Sequence, residues 1–114
     1  MEIWVEFNSG KFRTSPDPAI VPRGAPVIWR FRADNLAETA RIRWIIYFEK
    51  GNPFGDKAPR FTGTLSGGVA GQHSATTGIA FADNPGDYKY GVRAEDAVNG
   101  QRLGDDDPMI VVLA

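Results

Sequence analysis

Apolar residues in this chain recur at every second position in short runs that stop at glycine or proline. That period of two constrains the fold more than anything else in the sequence. Ile3, Val5 and Phe7 alternate with Trp4 and Glu6 before the turn signal Asn8-Ser9-Gly10. Val27, Trp29 and Phe31 alternate with Arg30 and Arg32 after the turn Pro22-Arg23-Gly24-Ala25-Pro26. Ile42, Trp44, Ile46 and Phe48 alternate with Arg41, Arg43, Ile45, Tyr47 and Glu49. Successive side chains of a strand point to opposite faces, so each run has one face to bury and one to leave in water.

The remaining segments are shorter and more broken. Pro16, Pro18 and Pro22 keep residues 16–22 extended and irregular. Residues 33–40 read as a loop, because the polar stretch Asp34-Asn35-Leu36-Ala37-Glu38-Thr39 is too short for a helix that stands alone. Residues 50–78 are rich in Gly, Pro, Ser and Thr and read as loops, with a short edge strand over 60–64 and a second pairing segment over 74–81. A strand over 88–94 follows the turn Asp83-Asn84-Pro85-Gly86, and residues 109–113 close the chain.

At 114 residues the chain suits one domain, 1–114, with a single core. The 13 glycines and 8 prolines punctuate rather than repeat, which makes a helical bundle a poor fit and favours many short strands joined by turns. The expected fold is all-β: an antiparallel Greek-key sandwich of about seven strands, with immunoglobulin-like and cupredoxin-like strand orders both open at this point. No run approaches the roughly 18 apolar residues of a spanning helix, and residues 1–7 read as a strand rather than a signal peptide. A cytoplasmic location is the expectation, with neither membrane nor nucleic acid as partner, because a net charge of −1 offers no positive field.

Two segments bear a family resemblance. Ala19-Ile20-Val21-Pro22-Arg23-Gly24-Ala25-Pro26-Val27-Ile28-Trp29 is similar to the opening of a cupredoxin, the blue-copper fold. Pro85-Gly86-Asp87-Tyr88-Lys89-Tyr90 resembles that family's approach to its copper loop, with Pro108-Met109-Ile110-Val111-Val112 as the last strand. The resemblance implies a ligand histidine on the strand matching residues 41–48, then a cysteine after the Tyr-x-Tyr strand, and a second histidine and often a methionine in the following loop. The matching positions here are Arg43 or Trp44, Val92, and Glu95 or Asp96, none of which ligates copper in that way. The chain has no cysteine, so it can build no thiolate site of any kind, and blue-copper electron transfer is excluded. No cofactor is expected.

Two clusters invite a binding role instead. Glu95 and Asp96 precede Asp105, Asp106 and Asp107, and oxygen donors on a flexible loop suit calcium, although the spacing matches no EF-hand and charge runs are more often solvated or paired with arginine. Arg30, Arg32, Arg41 and Arg43 fall out of phase with the core, beside Tyr47, and would form a guanidinium patch for an acidic partner if their strands were neighbours. Trp29 and Trp44 are in phase with core residues and Trp4 is not, which makes Trp4 the one candidate for an exposed contact or a sugar platform. His73, the single histidine, has only Ser74 beside it, and extended neighbours point apart, so no nucleophile and base pair forms. The expected role is a non-enzymatic binding or protein-interaction module, with a calcium- or carbohydrate-binding sandwich as the alternative. A homodimer through an edge strand, residues 1–7 or 60–64, is open.

Overall fold

A computed structural model describes residues 1–8, 11–33, 41–55, 60–66, 74–76 and 80–114. Its strands are β1 (Glu2–Asn8), β2 (Lys11–Ser15), β3 (Ala19–Val21), β4 (Pro26–Ala33), β5 (Arg41–Tyr47), β6 (Arg60–Ser66), β7 (Ser74–Thr76), β8 (Ala80–Phe81), β9 (Gly86–Lys89), β10 (Gly91–Asp96), β11 (Arg102–Asp106) and β12 (Met109–Val112). They form three sheets. The first runs β2-β1-β4-β7 with β8 also on β4, the second runs β11-β10-β5-β6, and the third runs β3-β12-β9.

The architecture is all-β, as the alternation predicts, with two departures in detail. Most pairs are antiparallel, but β1 runs parallel to β4 and β12 parallel to β3. The strands are also shorter and more numerous than seven, because single runs switch sheets. The run over 88–94 divides at Tyr90: β9 pairs with β12 in the third sheet, while β10 pairs with β5 in the second. The backbone N–H of Tyr90 donates instead to Pro108 O at 3.1 Å, which satisfies the amide at the crossing point.

The alternating positions fill the core as expected. Ile3, Val5, Val27, Trp29, Phe31, Ile42, Trp44, Ile46, Val92, Ile110 and Val112 are buried in one cluster drawn from all three sheets. Trp29 is fully enclosed and meets Phe48, Phe54, Phe61 and Tyr90 with ring centroids 5.3–6.3 Å apart. Most of these contacts are edge-to-face, the arrangement that opposes the positive rim of one ring to the negative face of the next. Phe31 of β4 stacks on Trp44 of β5 at 4.4 Å and 13°, so the first two sheets meet face to face there. The Trp29 indole N–H donates to the Tyr90 hydroxyl at 3.2 Å. Burial pushes the Tyr90 hydroxyl above the ordinary tyrosine range; the Trp29 hydrogen bond opposes that shift, and Asp17 and Asp106 add to it.

Three sequence expectations change. Residues 1–7 do not form an edge, since β1 is hydrogen-bonded on both sides, to β2 and β4. Ile45 is out of phase with the core run yet is only 2% exposed. Its neighbours on the outer face are Arg93 and Thr62 across the strands and Arg43 and Tyr47 along β5, and long stems of this kind cover apolar surface while their heads reach water. Glu95, Asp96, Asp105 and Asp106 do not share a loop, because they lie on β10 and β11, which pair as a hairpin with its turn at 97–101.

Candidate functional site

The hairpin determines what the five carboxylates can do. Asp96 turns the chain locally: its Oδ1 accepts the backbone N–H groups of Val98 at 2.8 Å and Asn99 at 3.2 Å, and Asn99 Oδ1 accepts Gln101 N–H at 2.8 Å. Asp and Asn do this because their short side chains reach the amide two residues on. Glu95 lies between two arginines, 3.2 Å from Arg93 Nε and 3.6 Å from Arg43 Nη1. The Arg93 Nε to Glu95 separation is close enough for an ion pair but not aligned as a hydrogen bond, and that buried N–H has no hydrogen-bond partner among the described residues. Asp105 pairs with Arg102 at 3.2 Å and Asp107 stands 3.8 Å from Lys89. Asp106 accepts from Thr14 Oγ1 at 2.9 Å, which joins β11 to β2 and closes one side of the sandwich.

The calcium expectation therefore meets a different geometry. Glu95, Asp96, Asp105, Asp106 and Asp107 are spread along the β10–β11 hairpin and its end with separate partners, and among the described residues no group of three or more His, Cys, Asp or Glu converges. Calcium needs six to eight oxygens around one point, and alternation along strands points consecutive carboxylates apart. His73 lies outside the described residues.

The guanidinium patch divides in two. β4 and β5 belong to different sheets that pack face to face, so Arg30 and Arg32 look out on one side of the sandwich and Arg41, Arg43 and Tyr47 on the other. Trp4 shares the first of these faces and is 39% exposed, as its phase predicts. Arg30 lies over the Trp4 ring at 5.8 Å and pairs with Glu2 at 2.7 Å, which makes a compact cross-strand cluster between β1 and β4. A lone indole already carrying a guanidinium is a poor sugar platform.

Sequence reading missed a cleft where β5 meets β10. The Tyr47 ring lies across Gly91, its cross-strand partner, so closely that a Cβ at 91 would come within 2.6 Å of Tyr47 Cε1. A hollow of about 290 Å³ opens there between Tyr47, Lys50, Lys89 and Asp107, beside one of about 350 Å³ that Asp105 and Asp106 also line. Gly91 between Tyr90 and Val92 was the only sequence signal for it.

The copper question is decided at Val92. This side chain is fully buried in the core, with Ile46 and Asp106 as its ladder partners. Trp44 is likewise buried, and Arg43 points out to Glu95. Among solved structures, that of auracyanin B is similar over 99% of this chain and 88% of its own, with a TM-score of 0.53 at 13% identity. The fold is cupredoxin-like. Auracyanin A, described as a "blue" copper protein from the green thermophilic photosynthetic bacterium Chloroflexus aurantiacus, gives a TM-score of 0.45 at 14% identity over 99% of this chain and all of its own. A mutant amicyanin in the Cu(I) form gives 0.45 at 17% identity over 98% of this chain and 82% of its own. No protein-family model and no curated protein matches the sequence. The cupredoxin-like scaffold here holds neither thiolate nor imidazole at the positions tested, and the segment where ligands would follow is the β10–β11 hairpin, so its donor set does not fit a blue-copper centre. Fold likeness at these identities carries no activity with it.

Proposed function

We propose that this chain is a non-enzymatic interaction module that captures an extended polypeptide on the edge of β6 that no strand among the described residues pairs. The observation that supports this reading is the chemistry of the sheet edges. An exposed edge presents unpaired N–H and C=O groups, and proteins ordinarily blunt it with charge, proline or shortness. β2 carries Lys11 and Arg13 and runs into Pro16, and β11 carries Arg102, Asp105 and Asp106. β3 has three residues between Pro18 and Pro22, β9 has four with Asp87 and Lys89, and β7 has three.

β6 differs from all of these. It is seven residues long, has no proline, and carries a single charge at its first position, Arg60. Among the described residues it pairs only with β5, and β7 approaches it without joining its ladder. Phe61 and Gly63 seat it on the core side, Phe61 against Trp29 at 5.3 Å and Gly63 beneath the Trp44 indole, so these two contacts fix which face of the strand a guest would meet. Main-chain hydrogen bonds then give affinity, and alternate side chains give selectivity.

Selection from a displayed library of extended peptides tests the proposal. Enrichment of peptides with alternating β-branched residues, captured by the wild-type chain and lost on Thr62→Lys/Thr64→Lys, is the expected result. A library that yields no binder dependent on β6 overturns it.

A further inference from the structure

The edge of β6 that no strand among the described residues pairs is complementary to itself. We infer that β6 pairs with β6 of a second copy of this chain, antiparallel about a two-fold axis through Gly63, joining the two four-stranded sheets into one. The inference rests on the edge reading above and goes further by naming the occupant.

β6 reads Arg60-Phe61-Thr62-Gly63-Thr64-Leu65-Ser66. A two-fold axis at Gly63 is the centre that pairs all seven residues, since any other centre leaves residues of the strand unopposed. It sets Gly63 against Gly63, Thr62 against Thr64 of the other copy, Phe61 against its Leu65, and Arg60 against its Ser66. Threonine pairs and aromatic–aliphatic pairs are among the favourable cross-strand combinations, and no like charges oppose each other. The alternation also agrees: pairing about a residue keeps core-side positions opposite core-side positions, so the faces do not swap. The interface is isologous, as closed two-fold dimers require, and it removes two exposed edges with one contact.

Gly63 suits the axis for a physical reason. The Trp44 indole covers the core side of Gly63, so closely that a Cβ there would sit 2.6 Å from Trp44 Cε2. The residue is therefore held without a side chain where the two strands would come closest to their own images. On the outer face, Thr62 and Thr64 are exposed, and Thr62 Oγ1 donates to Trp44 O at 3.0 Å, which fixes its rotamer.

Because the chain has no cysteine, register can be read by cross-linking. Directly opposed antiparallel residues have Cα atoms about 4.5–5.5 Å apart, inside the roughly 4.4–6.8 Å that a disulfide bridges. Thr62→Cys/Thr64→Cys should oxidise to a doubly bridged dimer, whereas Arg60→Cys/Thr62→Cys, out of register, should not. Sedimentation equilibrium should show a concentration-dependent dimer of the wild-type chain. Thr62→Lys/Thr64→Lys, which opposes like charges twice, should weaken it about tenfold or more. Thr62→Glu/Thr64→Lys, with as many changes but opposite charges facing each other, should dimerise at least tenfold more tightly than the dilysine variant. That comparison holds even if both variants lose some stability.

A wild-type chain that stays monomeric at every concentration and gives no in-register cross-link overturns the second copy as occupant. If β6-dependent peptides are still captured, only this inference fails; if none is captured, the edge reading fails with it. A dimer that the dilysine variant leaves intact places the interface elsewhere and also overturns the inference.

Discussion

The hydroxyl of Tyr90 accepts the indole N–H of Trp29 at 3.2 Å in the middle of the aromatic core, and the two residues come from β4 and from the point where the chain crosses between sheets. This hydrogen bond ties the crossing to the packing. Tyr90→Phe should lower stability by about 1 kcal/mol, the usual net worth of one buried hydrogen bond, measured by chemical denaturation. An unchanged midpoint would show that the bond is dispensable.

The same hydroxyl makes the fold alkali-sensitive. Burial raises its pKa in the folded chain, whereas in the unfolded chain it titrates near about 10. Above that pH the unfolded chain releases the proton while the folded chain keeps it, so stability falls as pH rises through the unfolded value and toward the folded one. Below it the group contributes no slope. The stability difference between the wild-type chain and Tyr90→Phe should therefore narrow above about pH 10, followed by denaturation at a series of pH values. A constant difference would mean that Tyr90 ionises as freely in the folded chain.

Gly63 and Gly91 each lie under an aromatic ring, but the rings differ in freedom. Trp44 is 3% exposed and stacked on Phe31, so Gly63→Ala must displace a packed indole. Overpacking of that kind costs about 1–3 kcal/mol. Tyr47 is only partly buried and lines the open cleft, so its ring has room to move, and Gly91→Ala should cost less. Thermal midpoints of the two variants give the order, and a reversed order would contradict this account.

Glu95 has two arginines to satisfy. Its side chain is 18% exposed and that of Arg93 25%, so neither is well screened by water. Glu95→Gln should leave Arg93 Nε with less compensation and lower stability by about 1–3 kcal/mol, more than the exposed Asp107→Asn. Equal effects would show that the Glu95 pairings contribute no more than a surface ion pair.

The dispersed carboxylates make a prediction about calcium. A ligand that binds only the folded chain raises its melting midpoint with concentration. Millimolar calcium should leave the midpoint of this chain unchanged beyond the effect of ionic strength, because each carboxylate of the hairpin already has its own partner. A rise specific to calcium over magnesium would restore the site.

Much of the fold is legible without a structure. The phase of Ile3, Val27, Trp29, Ile42 and Trp44 determines which faces are buried, because a strand has no other way to present alternating side chains. Trp4 follows the same rule to the surface. The zero cysteine count and Val92 remove blue-copper chemistry from a cupredoxin-like scaffold.

Only the tertiary structure decides who meets whom. Sequence phase says that Arg30 and Arg43 both point outward, but not that their strands lie in different sheets and face opposite ways. It could not show that Asp96 closes a hairpin, that Asp106 bonds Thr14 across 92 residues of chain, or that Ile45 is buried on the outer face. Nor could it show that β1 has partners on both sides while β6 has one ladder partner among the described residues. Periodicity is a local property of the backbone, whereas strand order, edge and partner are settled by burial and hydrogen bonding between segments far apart in the chain.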